Sequence, residues 1–570
     1  MTCVIVERDV PIPMRDGVAM QADIWRPGDD LRHPVLLQRT PYNRADSFAV
    51  IVNAGIEPLR AVAEGFVVVI SDTRGRFGSQ GQFDPFRTEA ADGYDTVQWL
   101  AAQSYSNGRV GMYGASYYAA TQLLAAMARP PALKALAPQV TASDFHDDWF
   151  YYGGALQLGF TLYWALGLAA AELARRQAAG EPLGSQAKEL AGLLNDPASA
   201  FRTRPLSEIG VLNTLLPAWR DWLAHPARDE FWRQVSVREQ HAALDLPALH
   251  VGGWFDIFLR GTLSNAAGMA ATGAPQRLII GPWAHAVPYD ALGEVDYGAG
   301  AAAAALDMTR VQLDWFAEQL CDQPPAIAPA PVTLFVMGDN AWRSEDAFPP
   351  ARSQVRNWYL TTGPDGAGRL DADPPPRDAG CSRFVYDPAD PVPTVGGATF
   401  LPGAYVGFNA GQRDQRPTEQ RPDVLAFTGP PLGEAIELCG PVSVVLHAAT
   451  DADDTDWTAK LVDVYPDGRA LNVCDGIVRA RYRCGDEEQL IPPGTVTEFT
   501  IDLGATCLAM PAGHALRVEV SSSNFPRFDA HPNTAGPIAE AQRGKPAQQQ
   551  VWHCAQYPSV LRVTTVPRPR

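Results

Sequence analysis

The stretch Gly111-Met-Tyr-Gly-Ala-Ser-Tyr-Tyr-Ala-Ala-Thr-Gln122 decides the fold of this chain. It follows a short predicted strand, residues 108–112, and runs into an apolar segment with the composition of a helix. A serine between a small-residue turn and a helix start has the geometry of a nucleophile elbow, in which the turn pushes the Ser116 hydroxyl out of the sheet. The backbone amide of Tyr117 then points at the oxygen that becomes negative during acyl transfer. Because Tyr118 replaces the second glycine of Gly-x-Ser-x-Gly, the motif needs catalytic partners elsewhere in the chain.

A serine nucleophile needs a base, and the base needs an orienting carboxylate. In an α/β-hydrolase these residues follow in the chain order Ser, Asp, His, each at the C-terminal end of a strand. Two later predicted strands run into Gly252-Gly-Trp-Phe-Asp256 and Gly281-Pro-Trp-Ala-His285. Ser116, Asp256 and His285 therefore stand in the required order, at strand ends where such a sheet places its ligand crevice. The sequence predicts that they form a catalytic triad.

Each partner also has a structural alternative. Asp256 could cap a helix N-terminus, and His285 could be an exposed loop histidine. Asp290 is a rival acid, although it follows His285 on the same loop, and His250 is a rival base, although it lies within a predicted strand. Three residue types in the required order at three strand ends favour the triad.

The loop after the predicted strand 34–38 is where lipases carry a glycine-rich oxyanion loop, and here it is Arg39-Thr-Pro-Tyr-Asn43. Tyr42 can donate its phenolic O–H, because a phenol with a pKa of about 10 stays protonated at neutral pH. The Tyr42 hydroxyl and the Tyr117 amide would supply the two donors that a tetrahedral intermediate needs. In the alternative interpretation Tyr42 only packs under its loop.

At 570 residues the chain is too long for one hydrophobic core. Strands alternate with helices in residues 1–143 and 242–350, which indicates an α/β catalytic domain with a parallel sheet. Residues 144–241 carry only helical signals and loops, so a helical cap interrupts that domain. From residue 351 to 570, short apolar strands separated by Pro, Gly and Asp turns indicate a β-sandwich or jelly roll.

The net charge of −18 argues against nucleic acid and anionic membrane surfaces as partners. The N-terminus has no basic segment followed by an apolar core, so no secretory signal is expected and a cytoplasmic location is predicted. The uncharged stretch 151–171 could span a membrane by length alone, but a buried helix lining an apolar cavity is the better interpretation. The expected partner is a small-molecule ester. The sequence does not determine the oligomeric state, and a homodimer is one possibility.

The eight cysteines include no Cys-x-x-Cys pair, and the histidines do not cluster around them, which argues against a zinc site. Six cysteines follow residue 350 and are predicted to be buried free thiols in strands rather than a disulfide framework. Gly75-x-x-Gly78-x-x-Gly81 lacks the spacing of a phosphate loop and is predicted to be a structural turn. Asp451-Ala-Asp-Asp-Thr-Asp456 lacks the glycine and terminal glutamate of an EF-hand loop and is predicted to be a solvated strand turn. We expect neither a metal nor a cofactor.

Five motifs of the catalytic domain resemble those of the family of cocaine esterases, X-prolyl dipeptidyl peptidases and α-amino acid ester hydrolases. They are Arg39-Thr-Pro-Tyr42, Asp72-Thr-Arg-Gly75, Gly114-Ala-Ser-Tyr117, Trp254-Phe-Asp256 and Gly281-Pro-Trp-Ala-His285. The resemblance continues in four later segments: Arg421-Pro-Asp-Val-Leu425, Asp463-Val-Tyr-Pro-Asp-Gly468, Asp475-Gly-Ile-Val-Arg479 and Pro532-Asn-Thr534. It covers nearly the whole chain. It implies an α/β-hydrolase core, a helical cap inserted after the sixth strand, and a C-terminal all-β jelly-roll domain beside the crevice.

Within the family the layout is most similar to that of cocaine esterase, in which a benzoyl group occupies an aromatic pocket. The resemblance implies a substrate pocket built from Trp149, Trp164, Phe258, Phe400 and Leu401. Aromatic walls suit a flat acyl group, although the same residues could equally be core. Tyr118, and Ala119 where the family often has glycine, bear on the shape of this pocket.

The predicted function is that of a serine carboxylesterase that works through an acyl-enzyme, with aryl or benzoyl esters as candidate substrates. One alternative is an X-Pro dipeptidyl peptidase or an α-amino acid ester or amide hydrolase, which needs a carboxylate for the substrate ammonium. Asp144, Asp147 and Asp148 at the cap entrance could supply one. An alternative of another class is a non-catalytic carbohydrate-binding protein that uses the jelly roll.

Overall fold

The computed structural model of the chain describes residues 3–46, 55–325, 327–376, 380–401 and 409–568. The protein has an α/β-hydrolase core with a helical cap and a C-terminal all-β domain, as the sequence predicts. Sheet, cap and β-domain meet around the ends of the central strands.

The core sheet has ten strands within the described ranges, in the order β1-β2-β4-β3-β5-β6-β9-β10-β13-β14. The strands are β1 Val4–Pro13, β2 Ala19–Pro27, β3 His33–Thr40, β4 Val67–Asp72, β5 Ser106–Ala115, β6 Leu133–Gln139, β9 Ala248–Phe255, β10 Gln276–Ala284, β13 Val332–Val336 and β14 Ala341–Glu345. Neighbours from β4 to β13 in this order pair in parallel, and the outer strands pair antiparallel. Every residue of β4 and β9 is buried, because helices cover both faces of a parallel sheet.

Among the described residues, five helices flank this sheet: α1 Pro58–Ala63, α2 Glu89–Ala101, α3 Tyr117–Met127, α10 Leu259–Ala270 and α11 Met308–Cys321. The cap lies between β6 and β9 and contains α4 Leu158–Ala178, α5 Gly184–Asn195, α6 Pro197–Phe201, α7 Gly210–Leu215, α8 Ala218–Ala224 and α9 Glu230–Arg233. A π-helical turn, Phe145–Phe150, and a hairpin of β7 Tyr151–Tyr152 and β8 Ala155–Leu156 precede α4. Short 3₁₀ turns lie at Leu206–Glu208, Arg238–Ala243, Ala299–Ala301, Ala303–Leu306, Ala480–Tyr482 and Ile538–Glu540.

The buried helix predicted for the uncharged stretch 151–171 begins only at Leu158. Gly153 and Gly154 have φ of 53° and 83°, which turn the preceding chain into the β7–β8 hairpin. A Cβ on Gly153 would lie 2.0 Å from the carbonyl oxygen of Ile477, so the hairpin packs directly on the β-domain. The apolar part of α4 is largely buried, as the sequence predicts. No helix among the residues the structure describes is long and apolar enough to cross a membrane.

The β-domain forms a second hydrogen-bonded network of twelve strands within the described ranges. They are β15 Gln354–Thr362, β16 Gly368–Asp371, β17 Cys381–Tyr386, β18 Leu425–Thr428, β19 Ile436–Thr450, β20 Asp456–Val464, β21 Ala470–Arg479, β22 Thr497–Met510, β23 Ala515–Ser521, β24 Ala547–Cys554, β25 Tyr557–Pro558 and β26 Val560–Val566. A short pair, β11 Ala291–Leu292 and β12 Val295–Asp296, lies after β10, and helix α12 Arg416–Glu419 precedes β18. Met337, directly after β13, pairs with Leu508 of β22 and so links the two large sheets.

The predicted solvated turn at residues 451–456 is only partly solvated. Asp454 and Asp456 are 2% and 1% exposed, and arginines neutralise both carboxylates. Arg481 pairs with Asp454, and Arg479 donates to Asp456 at 2.9 Å and to Asp529 at 2.8 Å. A buried carboxylate is retained only with such partners, which local sequence does not show.

All eight cysteines are free thiols in this structure. Of the six predicted to be buried, Cys439, Cys474, Cys507 and Cys554 are buried, whereas Cys381 is half-buried and Cys484 is exposed. The prediction is therefore correct for the four that point into the β-domain core and wrong for the other two.

Arg479 offers a test of the contact between cap and β-domain. Its amide donates to the Gly153 carbonyl at 2.7 Å, and its buried guanidinium holds two buried carboxylates. Arg479→Met leaves both carboxylates without a cation, so we expect a loss of about 3–5 kcal/mol in the free energy of unfolding. Urea unfolding followed by tryptophan fluorescence measures this loss.

The matched control is Arg469→Met, because Arg469 pairs with Asp467 on the surface, where both side chains are about half exposed. This variant should unfold at the same urea concentration as the parent protein. Equal effects of the two substitutions would contradict a structural role for Arg479.

Candidate active site

Ser116 lies at the sharp turn between β5 and α3. Its backbone has φ 59° and ψ −124°, a conformation that non-glycine residues adopt only under constraint. The Ser116 amide donates to the Gln139 carbonyl of β6 at 2.9 Å. Gly114 has φ 129°, and a Cβ there would lie 2.6 Å from Cβ of Tyr118. The elbow thus requires its first glycine and accommodates tyrosine where the second glycine is common.

The three predicted catalytic residues meet at the carboxyl edge of the sheet. The Ser116 hydroxyl lies 3.1 Å from Nε2 of His285, and Nδ1 of His285 lies 2.9 Å from a carboxylate oxygen of Asp256. The other Asp256 oxygen accepts the Phe258 amide at 2.7 Å. Asp256 and His285 are 2% and 6% exposed, so the hydrogen bond between these two residues is shielded from water, whereas Ser116 is half-buried. The arrangement is that of a nucleophile, a base and an orienting acid.

The rival residues lie elsewhere. His250 is 1% exposed within β9 and bonds through Nε2 to Gln276 at 2.9 Å. Burial lowers its pKa to about 4, so this imidazole is a neutral core residue. Asp256, and not Asp290, is the carboxylate that contacts the His285 ring.

The hydroxyl of Tyr42 faces the same cavity as Ser116. Its oxygen accepts the indole N–H of Trp164 at 2.9 Å, which leaves the phenolic proton available to a substrate oxygen. Burial raises the pKa of Tyr42 well above its usual value, so the phenol stays a donor at alkaline pH too. The Tyr117 amide opens α3, where a first-turn N–H has no partner inside its helix. These are the two donors that the sequence predicts for an oxyanion.

A buried charge network that sequence reasoning missed lies beneath the elbow. The Tyr117 hydroxyl donates to Glu89 at 2.9 Å, and the Arg39 guanidinium pairs with the same carboxylate at 2.9 Å. Arg39 and Glu89 are 0% and 1% exposed. The network ties the end of β3, the start of α2 and the start of α3 together. The sequence feature that could have indicated this network is Glu89, an acidic residue in the first turn of α2, a helix that is partly buried.

The glycine-rich segment after β4 supports the Tyr42 loop. Arg76 donates to the Pro41 carbonyl at 2.9 Å, and the Arg44 amide donates to Asp72 at 2.8 Å. Gly75 has φ 68°, and a Cβ there would lie 2.2 Å from the Phe83 amide nitrogen. The segment is a structural turn, as the sequence predicts.

A cavity of about 510 Å³ opens beside Ser116 and is enclosed largely by aromatic and aliphatic side chains. Trp164 and Phe400 line it, as the sequence predicts, and Phe160 and Tyr163 line it as well. The spacing of Phe160, Tyr163 and Trp164 places them on one face of α4, a pattern from which the two additional residues could have been found.

The other three predicted pocket residues lie behind this wall. Trp149 and Phe258 are fully buried and stack with ring centroids 4.4 Å apart, and the Phe258 ring contacts His285 edge-on at 5.1 Å. Leu401 is 3% exposed and packs against Gly159, where a Cβ would lie 2.3 Å from its Cδ2. They support the cavity wall rather than line the cavity.

No Asp, Glu, Lys or Arg lines the cavity in the part of the chain that the structure describes. The three candidate carboxylates of the cap entrance are occupied by arginines: Asp144 by Arg228, Asp147 by Arg238 and Asp148 by Arg260. Among the described residues, the walls of the cavity beside Ser116 therefore carry no carboxylate, ammonium or guanidinium group.

Known proteins share this architecture over the whole chain. The model of the X-Pro dipeptidyl-peptidase family (S15 family) matches residues 16–287, and that of the X-Pro dipeptidyl-peptidase C-terminal non-catalytic domain matches residues 327–562. Cocaine esterase of Rhodococcus sp. (strain MB1 Bresler) is 38% identical over 550 residues, which cover 94% of each chain. The chain belongs to the family that comprises cocaine esterase and the X-Pro dipeptidyl peptidases. It is accordingly a hydrolase of the S15 type.

Two solved structures superpose closely on the whole chain. An α-amino acid ester hydrolase matches with a TM-score of 0.82 and 27% identity, over 99% of this chain and 96% of the other. An aminopeptidase from a marine sediment archaeon of the Thaumarchaeota matches with a TM-score of 0.82 and 26% identity, over 99% and 97%. Proteins with this fold thus carry names for both ester and peptide hydrolysis.

The two tyrosines at the site allow a matched test of the oxyanion donors. Tyr42→Phe removes a donor hydroxyl, so kcat for a small ester should fall by about 10²–10³ with little change in KM. Tyr117→Phe keeps the backbone amide and removes the two hydrogen bonds of the hydroxyl, which it donates to Glu89 and accepts from the Phe86 amide, so kcat should stay within about tenfold while thermal stability falls. Steady-state kinetics and thermal melts measure the two effects. Equal losses of kcat would mean that the Tyr42 hydroxyl is not an oxyanion donor.

Proposed function

We propose that the protein is a serine carboxylesterase that cleaves esters of uncharged, flat acyl groups through an acyl-enzyme. The observation that carries this proposal is the hydrogen-bonded line of Ser116, His285 and Asp256 at the edge of a cavity whose described lining residues include no Asp, Glu, Lys or Arg. A nucleophile with its base and orienting acid defines acyl transfer. The residues that line the cavity limit the charge and the shape of the acyl group that can bind.

The reaction begins when Ser116 Oγ attacks the ester carbonyl and His285 Nε2 takes the hydroxyl proton. Asp256 holds Nδ1–H of the imidazole and stabilises the imidazolium. The Tyr42 hydroxyl and the Tyr117 amide receive the oxyanion. His285 returns the proton to the leaving alcohol, and a water molecule then repeats the sequence to release the acid and restore Ser116.

The uncharged cavity favours a neutral acyl group over an α-amino acyl group. An X-Pro dipeptide or an α-amino acid ester brings an ammonium into the site, and a buried ammonium needs an anionic partner. The nearby carboxylates are already paired with arginines, and none lines the cavity in the described ranges. A flat aromatic acyl group instead gains contact with Phe160, Trp164 and Phe400.

Substitution of the nucleophile tests the assignment. Ser116→Ala should abolish hydrolysis of p-nitrophenyl acetate, because no other group supplies the acyl-enzyme. Its circular dichroism and melting temperature should match those of the parent. A fluorophosphonate probe should label the parent at Ser116 and leave the variant unlabelled. Turnover by the variant would contradict a serine mechanism. Absence of labelling in the parent would also contradict it and would favour the non-catalytic alternative.

A substrate panel tests the acyl preference. The value of kcat/KM for p-nitrophenyl benzoate should exceed that for Ala-Pro p-nitroanilide by at least about 10², since the ammonium finds no partner. Phe160→Ala should lower kcat/KM for the benzoate about tenfold and leave that for the acetate nearly unchanged, because only the benzoyl ring reaches this wall. A preference for the anilide would identify a peptidase and contradict the neutral acyl pocket.

A further inference from the structure

Two cysteines of the β-domain face each other across a strand pair. Cys439 in β19 and Cys507 in β22 are directly opposed in an antiparallel ladder, between the pairs Leu438–Leu508 and Gly440–Thr506. Their sulfur atoms are 2.8 Å apart, closer than two sulfurs in ordinary van der Waals contact. Both side chains are 0% exposed. Residues 68 positions apart in sequence are thus held sulfur to sulfur by the sheet register.

This dithiol lies where the β-domain meets the core sheet. The Met337 amide, just after β13, donates to the Cys507 carbonyl at 3.0 Å, and the Ala509 amide donates to the Met337 carbonyl at 2.8 Å. Arg343 of β14 reaches across from the core sheet, with Nη2 at 3.7 Å from the Cys439 sulfur and 3.9 Å from the Cys507 sulfur. Any covalent change at this pair therefore acts on the seam between the two domains.

A metal ion and a disulfide are the two chemistries that such a pair supports. One carboxylate oxygen of Glu437 and both sulfurs lie within 4.8 Å of one another, which is a three-ligand set. Arg343, however, pairs with Glu437 at 2.7 Å and touches both sulfurs, so a permanent cation already occupies the place of a metal. The arginine opposes a second cation and stabilises a thiolate. These contacts favour sulfur chemistry.

We propose that Cys439 and Cys507 are an oxidation site, and that they form a cross-strand disulfide with hydrogen peroxide or another hydroperoxide as oxidant. Directly opposed residues in antiparallel strands have Cα atoms about 4.5–5.5 Å apart. Disulfides span Cα distances of about 4.4–6.8 Å. The bond can therefore close without moving either strand.

The reaction balances with one peroxide. One thiolate attacks a peroxide oxygen, the O–O bond breaks, and the sulfur becomes a sulfenic acid while hydroxide leaves and takes up a proton. The second thiolate attacks the sulfenic sulfur, the S–O bond breaks, hydroxide leaves and is protonated, and the S–S bond forms. Two thiols are oxidised, and one peroxide is reduced to two waters. The hydrogen bond from Cys507 to Cys439 and burial raise the pKa of the Cys507 thiol, so the reaction should be slow at neutral pH.

The closed disulfide would link β19 to β22 beside the seam and leave the Ser116 site untouched. Closing a loop of this length removes conformational freedom from the unfolded chain. We expect the melting temperature to rise on the order of 5–15 °C on oxidation. Ester hydrolysis at 25 °C should keep its rate, because neither cysteine is among the described residues that line the cavity.

The test uses the full-length protein, incubated overnight with millimolar hydrogen peroxide, alkylated in denaturant and digested without reduction. Mass spectrometry should find the Cys439 and Cys507 peptides joined, and dithiothreitol should separate them and reverse the rise in melting temperature. Cys554→Ser is the matched control, since Cys554 is also buried in a β-domain strand, and it should still form the link. Cys439→Ser should lose both the link and the stabilisation.

Three results would overturn the proposal. The first is a parent protein in which exposed Cys484 is oxidised while the Cys439 and Cys507 peptides stay separate. The second is a disulfide that joins either residue to another cysteine. The third is retention of one Zn²⁺ per chain by the reduced parent after dialysis, lost in Cys507→Ser, which would make the pair a metal site. Because peptide mapping of the parent decides the first two, the proposal stays testable even if a variant fails to fold.

Discussion

The positive φ of Ser116 is the constraint on which the rest of the site depends. A non-glycine residue in such a conformation costs on the order of 1–3 kcal/mol and persists only where its surroundings enforce it. Here β5 and the buried helix α3 hold the two sides of the turn, and Gly114 leaves the space that Tyr118 fills. The same turn presents the nucleophile and aims the Tyr117 amide, so backbone geometry and chemistry are inseparable at this point.

Buried ion pairs hold the loops around that turn. Arg39 with Glu89 and Arg44 with Asp72 fix the chain on both sides of Tyr42, while the acidic cluster of the cap is neutralised by arginines. A buried ion pair adds little net stability, but the loss of one partner leaves the other charge buried and unpaired. Movement of either loop that separates a pair is therefore costly. The consequence is an acidic protein whose cavity beside Ser116 has no acidic wall among the described residues.

Much of the fold was predictable because its signals are local. Apolar runs identified the central strands, and the order of Ser116, Asp256 and His285 at strand ends identified the triad that the structure brings within hydrogen-bond distance. The prediction was wrong at the start of α4, where two glycines with positive φ make a hairpin that depends on the β-domain. It was incomplete at the cavity, where Trp149 and Phe258 prove to stand one layer behind the wall.

The sequence by itself determined the order of the elements and the class of chemistry, and it predicted a side-chain oxyanion donor, since each follows from residues that are neighbours in the chain or stand at strand ends. Only the tertiary structure decided which groups are free to meet a substrate. Asp144, Asp147 and Asp148 look available in sequence and are paired in space, while Cys439 and Cys507 look unrelated and face each other. Such pairings come from the packing of distant segments, which no local pattern of residues encodes.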